Sequence, residues 1–388
     1  MNDADALFHR AIEVMPGGNT RSTLFVNPHP PYAVKGQGAS VVDAVGHRSI
    51  DCNNNYTALI HGHADPEILS AAMDAAARGT AFGLPTSYEI EMAELLSTRT
   101  GLQRWRFCNS GTEAVMMLIR GARAHTGRDL VVRFDGSYHG TYDGVVASDA
   151  PGVPDSVAAA SIVLPQNDLD ELEATMRQYG DRVAVILLDL MPNRAGLQPV
   201  TREFAMAART LSTAYGALLA IDEVITFRLG AGGLHQSYDI TPDVVSLGKI
   251  IGGGFPVGAI GGRADVLDAF SPLGDGPVAW GGTFSANPVT MAAGLAALHR
   301  FPASSVATLN AKGNRLRDRL VDAGLTVNGS GSLLRLIVDD ATAMWWRLYE
   351  AGVLVGTNGL LALSTAMSDE DIDLIASRVI NTIRGRYA

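Results

Sequence analysis

Cysteine is nearly absent. Cys52 and Cys108 are the only two in 388 residues, which excludes a disulfide framework and a four-cysteine zinc site. Lysine is scarcer than the basic total suggests: 27 of the 30 basic residues are arginine, and the lysines are Lys35, Lys249 and Lys312. Chemistry that needs an amine rather than a guanidinium must use one of these three. Basic charge is also in deficit, with 40 acidic side chains giving a net charge of −10 and no basic block, which argues against a nucleic-acid partner. No apolar run approaches the roughly 18 residues of a membrane span. The opening MNDADALFHR lacks the pattern of a signal or transit peptide. The expectation is a cytoplasmic protein with no membrane association. What is plentiful is core: 47% of residues are apolar and 18% charged. A chain of this length suits one large domain plus a smaller one.

The pattern along the chain sorts these domains. Residues 3–14 suit an amphipathic helix, and short strands at 32–34 and 40–43 flank a turn at Gly36-Gln37-Gly38. Helices are expected near 65–78, where Asp65-Pro66 supplies a start signal, and at 87–100. Strands and helices then alternate. Strands are expected at 105–108, 130–134, 183–188, 217–221, 244–247 and 257–260, with helices at 111–125 and 202–214 between them. Unbroken apolar strands alternating with helices predict an α/β fold with a mainly parallel sheet covered on both faces. Helices near 286–300, 303–322 and 368–384 mark a smaller α/β domain at the C-terminus. The expected division is 1–44 as an N-terminal segment packing with the small domain, 45–285 as the large domain and 286–388 as the small one.

In open α/β sheets the ligand sits at the carboxyl ends of the strands. That rule gathers Asn109-Ser110-Gly111-Thr112, Asp135–Gly140, Asp189, Asp222-Glu223 and Gly248-Lys249. Ser110 and Glu113 have capping-box spacing, and the same helix start is suited to cradle a phosphate with free backbone N–H groups. Neither GxGxxG nor GxxxxGK[ST] accompanies it. Lys249 lies in SLGKIIGGGFPVG among apolar and glycine neighbours, where burial lowers an amine's pKa and makes it a nucleophile toward carbonyls. Lys35 and Lys312 have the settings of surface residues. Asp222 ends the apolar strand ALLAID, a costly place for a carboxylate unless it is paired, capping or functional. A phosphate cradle, a desolvated lysine and a strand-end carboxylate match the needs of pyridoxal 5′-phosphate: donors for its phosphate, an amine for its aldehyde and an anion for its ring nitrogen. Tyr138 in GSYHG offers a face on which the ring can stack.

The segments MPGGNTRS, NSGTEA, GSYHG, IDEVITFR, SLGKIIGGGFPVGAIGGR and GGTFSANPVTMAAG run in order from residue 15 to about residue 295. In this combination the chain resembles the class III aminotransferases of the fold-type I pyridoxal-phosphate enzymes. Glutamate-1-semialdehyde aminomutases and β-amino-acid aminotransferases are the nearest branches. The resemblance implies that Lys249 carries the cofactor, that Asp222 pairs with the pyridinium nitrogen, and that Ser110, Gly111 and Thr112 hold the phosphate. Tyr138 and Val224 would cover the two ring faces, and Asn193 would contact the ring hydroxyl. Thr283 would reach the phosphate of a neighbouring subunit, which implies a homodimer with shared sites. Arg21, in a loop rich in turn residues, would bind the substrate carboxylate, with Arg228 as the competing arginine. The chain departs from the family pattern at Asp189-Leu190, where Glu-Pro is usual, at Asp65 in Gly62-His63-Ala64-Asp65-Pro66, and in a shorter stretch between 323 and 360. His61 and His63 have an HxH spacing, but no third metal ligand is evident.

The implied reaction is transfer of an amino group from an amino acid to a keto acid, and PGGNTRS with the short ITFR favours β-amino acids as donors. Two other readings stay open. One is an aminomutase that moves an amine within one substrate, and the other is a phosphate-ligand binding protein on the same fold without chemistry.

Overall fold

The computed structural model describes residues 3–147, 149–274 and 278–385. It divides into two compact units, one of residues 67–306 and one of 1–66 with 307–388. The larger contains a seven-stranded sheet in the order Arg104–Cys108, Gly258–Gly262, Val244–Gly248, Leu218–Asp222, Val183–Leu188, Leu130–Phe134, Ser161–Leu164. Only Gly258–Gly262 runs against its two neighbours, and the other pairings are parallel. The strands Leu130–Phe134, Val183–Leu188, Leu218–Asp222 and Val244–Gly248 are buried at every residue. That is why they read as continuous apolar runs rather than alternating ones.

Local signals set the helix ends. The helix Gly111–Thr126 starts at Ser110, whose extended backbone and hydroxyl cap it, and stops at Gly127 with φ of 69°. Its face of Ala114, Val115, Leu118, Ile119 and Ala122 packs into the core with Val131, Val185, Leu187, Ala220 and Ile260. Burying a Leu or Ile there contributes about 1.5–3 kcal/mol, and Leu118→Ala would cost about 2–5 kcal/mol. Gly258 permits a close approach at the start of this helix: a Cβ there would lie 2.0 Å from the Ser110 carbonyl oxygen. The strand Ser161–Leu164 and the helix Leu169–Tyr179 were not expected from the sequence.

The smaller unit holds a four-stranded sheet in the order Ala33–Gln37, Ser40–Asp43, Arg48–Asp51, Val353–Leu354, and a three-stranded sheet of Val327–Ser330, Leu333–Leu336 and Leu360–Ala362. The helix Ala341–Glu350 brings Trp345 into a stack with Tyr349 at 5.2 Å, and the Tyr349 hydroxyl donates to Asp43 at 2.6 Å. The larger unit's mainly parallel seven-stranded sheet is that of an α/β fold of fold type I. The units change over at 66 and 306, later in the chain than the 44 and 285 expected. Arg48–Asp51 pairs within the smaller unit's sheet, and the helix Pro288–His299 packs on Ser87–Thr100 and on the turn Lys249–Gly252. Among the described residues no helix is long and apolar enough to cross a membrane.

Candidate active site

The carboxyl ends of the parallel strands in the larger unit bring the central residues together. Asp222 is the last residue of its strand and is buried. Its Oδ2 meets Nδ1 of His139 at 2.8 Å, while Oδ1 accepts from the Val224 N–H and the Ser246 hydroxyl, both at 3.0 Å. Burial alone would raise the pKa of this carboxyl. The hydrogen bond and charge of His139, the Val224 N–H and the Lys249 charge outweigh burial and hold Asp222 below the ordinary value. The carboxylate is therefore anionic at neutral pH.

Lys249 follows Val244–Gly248 at the start of a short 3-10 turn, with a φ of 51°. Removal from water lowers its pKa, and the nearby carboxylates Asp222 and Asp189 oppose that shift without cancelling it. The other lysines differ. Lys35 is exposed. Lys312 donates to the Met367 carbonyl at 2.8 Å and lies 3.6 Å from Asp369. Lys249 alone of the three lies beside the buried Asp222.

The start of the helix Gly111–Thr126 faces the same edge. Ser110 Oγ accepts from the Glu113 N–H at 3.1 Å and caps the helix, while Glu113 accepts from the Asn109 N–H at 2.5 Å, one residue before the cap, so the reciprocal half of a capping box is displaced. The cap leaves the Gly111 and Thr112 N–H groups without an intrahelical acceptor, as at any helix start. Val224 packs over this point, 3.1 Å from where a Gly111 Cβ would be and 3.4 Å from one on Gly248. Gly140, with φ of 99°, brings the loop after Tyr138 against Thr112: a Cβ there would lie 2.5 Å from the Thr112 hydroxyl. One edge thus holds an anion, a depressed amine and a run of free N–H donors. His139, 1% exposed, adds an orphan: its Nε2 has no hydrogen-bond partner among the described residues. This donor set fits a ligand with a phosphate, a carbonyl and a protonated ring nitrogen.

A family model for the class-III aminotransferases matches residues 26–383. The chain belongs to the class-III aminotransferases. This is a family of pyridoxal 5′-phosphate-dependent enzymes, and the donor set agrees with that cofactor. Among curated relatives, glutamate-1-semialdehyde 2,1-aminomutase from Aeropyrum pernix is 41% identical over 86% of this chain and 82% of its own. Among solved structures, an omega-transaminase from Sphaerobacter thermophilus matches with a TM-score of 0.96 and 39% identity over 99% of this chain and 97% of that one. A β-phenylalanine aminotransferase from Variovorax paradoxus matches with a TM-score of 0.94 and 35% identity over 99% and 94%.

Around this aminotransferase site the remaining sequence candidates fall in different places. Tyr138 keeps 37% exposure, and Arg194 lies over its ring at 4.1 Å. The neighbouring Asn193 is half-buried, and its segment packs on the Tyr138 loop where Ala195 meets Gly136. Thr283 is exposed in a turn and is not joined to the Asp222 cluster by any hydrogen bond among the described residues. Arg228 is wholly buried, and burial pulls its pKa down to about 9. Glu223 is saturated by donors from Thr226, Leu234 and His235 and is structural. His61 and His63 bond separately to Thr365 and Asp51, each at 2.7 Å. Arg21 belongs to the smaller unit, where its guanidinium donates to Asn55 Oδ1 at 2.7 Å.

Three residues of this cluster have no role that the sequence alone assigns. His139 stood in the quoted GSYHG, yet only its tyrosine was used. Ser246 is a plain strand serine whose partner is set by sheet pairing, since Asp222 lies opposite Ser246. Asp189 is conspicuous at its strand end and departs from the family pattern, but the sequence alone gives it no role. It is buried, accepts from the Met191 N–H at 2.9 Å, and is pushed well above the ordinary carboxyl range by burial and by the negative charge of Asp222. The two carboxyls are therefore pushed in opposite directions, Asp222 down and Asp189 up.

Proposed function

We propose that the chain is a transaminase that moves an amino group from a β-amino acid to a keto acid. The observation that carries this reading is the juxtaposition of the depressed amine of Lys249 with the anionic Asp222 and its buried His139. The match to two transaminases along nearly their whole length supports it, as do PGGNTRS and the short ITFR segment. Pyridoxal phosphate supplies an aldehyde for the amine and a protonated ring that takes up the electron pair released at the substrate carbon. Lys249 Nζ would hold the aldehyde, and its amine would move the proton at the substrate carbon as general base and return it as general acid. Asp222 would hold the proton on the ring nitrogen, with His139 and Ser246 fixing the position of its carboxylate. Ser110, Gly111 and Thr112 hold the phosphate at the helix start. Tyr138 and Val224 would cover the ring and exclude water, and Asn193 would contact the ring hydroxyl. Arg21 reads the substrate carboxylate through its planar fork. The working form is a homodimer in which Thr283 of the partner subunit completes the phosphate site, and the location is the cytoplasm.

The identity to an aminomutase favours a second reading, transfer of an amine within one substrate. A panel of α-, β- and ω-amines with and without pyruvate or 2-oxoglutarate, read by mass spectrometry, separates the two. The transaminase reading predicts product from β-amino acids only when keto acid is present. Conversion of glutamate-1-semialdehyde without any acceptor, and inertness toward β-amino acids, would replace it with the aminomutase.

A further inference from the structure

Within the smaller unit, four consecutive residues with side chains turn the left-handed way: Asn54, Asn55, Tyr56 and Thr57 have φ of 48°, 50°, 51° and 78°. Such geometry is unfavourable for any residue with a Cβ and worst for a β-branched one such as Thr57. It persists only where the surroundings over-determine it, and such places cluster at functional sites. Here the anchors are explicit. Asp51 Oδ1 accepts from the Asn53 and Asn54 N–H groups, both at 2.8 Å. The Asn54 amide donates to the carbonyls of Asp51 and Ala362 at 2.9 and 2.7 Å, and Asn53 Oδ1 accepts from the Tyr56 N–H at 2.5 Å.

The held turn grips one loop at two points. Asn55 Oδ1 accepts from the Arg21 guanidinium at 2.7 Å. The Tyr56 hydroxyl donates to the Thr23 carbonyl at 2.5 Å, and Thr357 donates to the same carbonyl at 2.9 Å. Some arginines are neutralised, Arg263 by Asp243 and Asp265 and Arg315 by Asp369, whereas others, such as Arg48 and Arg128, bond only neutral acceptors. Arg21 has no acidic partner among the described residues, and an amide oxygen orients its fork without cancelling its charge. Arg21, Asn53, Asn55 and Thr357 also line one cavity of about 230 Å³, together with Asp43 and Asp51, whose carboxylates are already engaged by Tyr349, His63 and the Asn53 and Asn54 N–H groups.

We propose that Asn55, presented by the left-handed turn Asn54–Thr57, is the positioning residue that sets Arg21 for the substrate carboxylate and thereby gives the enzyme its preference for acids over plain amines. This rests on the reading of Arg21 given above. The test uses the holoenzyme and the donor half-reaction alone, followed by the absorbance change of the cofactor, so that no keto-acid carboxylate interferes. The donors are 3-aminobutanoate and 4-methylpentan-2-amine, in which an isopropyl group replaces the carboxylate. Asn55→Gly removes the grip and suits the left-handed backbone, and Asn55→Asp places a neutralising carboxylate on Arg21. Asn55→Gly is expected to raise the half-saturating concentration of 3-aminobutanoate about tenfold with the limiting rate little changed, and to leave the amine unaffected. Asn55→Asp is expected to do at least as much. Adding Asn55→Gly to Arg21→Ala is expected to cause no further loss. An Asn55→Gly enzyme that handles the acid normally, while Arg21→Ala still loses it selectively, overturns the role of Asn55 and leaves that of Arg21 standing. Equal losses for both donors in Asn55→Gly reduce the turn to a structural one. Equal losses in Arg21→Ala overturn the reading of Arg21 itself.

Discussion

The larger unit treats its key charge in one way and the smaller unit treats its own in the opposite way. Asp222 is an anion in the interior, saturated by His139, Val224 and Ser246. Arg21 is an exposed cation held by a neutral amide. A charge that must persist through a reaction needs fixed, buried donors, because a low-dielectric site with aligned dipoles does not have to reorganise. A charge that must meet a succession of ligands is better oriented than neutralised. The scaffolds differ accordingly. Asp222 is placed by the register of a parallel sheet, with Asp222 opposite Ser246 and His139 arriving from a separate loop. Arg21 is placed by a short strained turn.

The contrast breaks most sharply at Lys249. Lys249→Ala should lower turnover by more than about a thousandfold, since both the covalent anchor and the acid–base group are lost; stopped-flow measurement of the donor half-reaction checks it. Asp222→Ala should retain cofactor, seen in its visible absorbance, yet slow proton abstraction by about a hundredfold or more, because an uncharged ring is a poor electron sink. Near-normal turnover in that variant would remove Asp222 from the mechanism. In the other unit, Arg21→Ala should cost about 1.5–3 kcal/mol in transition-state binding of amino acids and almost nothing for isosteric amines, as read from kcat/KM for matched pairs.

The smallest effect sharpens the comparison within one pair. The raised pKa of Asp189 means that its carboxyl keeps a proton in the folded protein that the unfolded chain has released. Stability from this group is present below the ordinary carboxyl pKa and is lost as pH rises from there through the raised value. Asp222, with its lowered pKa, contributes stability above the ordinary value that is lost as pH falls through the lowered one. Asp189→Asn should therefore flatten the decline of the thermal midpoint as pH rises above the ordinary carboxyl range, relative to the unaltered enzyme. Parallel curves for the two proteins would mean that Asp189 is ionised in the fold.

How much of this was legible follows the same division. Buried strands announced themselves as runs such as VAVILL, and a carboxylate or lysine at the end of such a run is conspicuous against its neighbours. Asp222 and Lys249 were therefore readable, as was the helix start at Ser110. Partnerships across the sheet were not, because Ser246 and Asp189 gain their meaning only from register and burial. The left-handed turn left a trace in Asn53-Asn54-Asn55, since asparagine tolerates that conformation better than other residues with a Cβ, but a run of three polar residues reads equally well as an ordinary loop. Arg21 was reached by resemblance, and its amide grip only by geometry.

The central claim is that the one lysine beside the buried Asp222 carries the cofactor. Borohydride reduction of the holoenzyme fixes the C=N bond between lysine and cofactor, and peptide mapping by mass spectrometry then locates it. The account predicts the pyridoxyl group on the peptide containing Lys249 and on no other. Its appearance on the peptide of Lys35 or Lys312 would contradict the account.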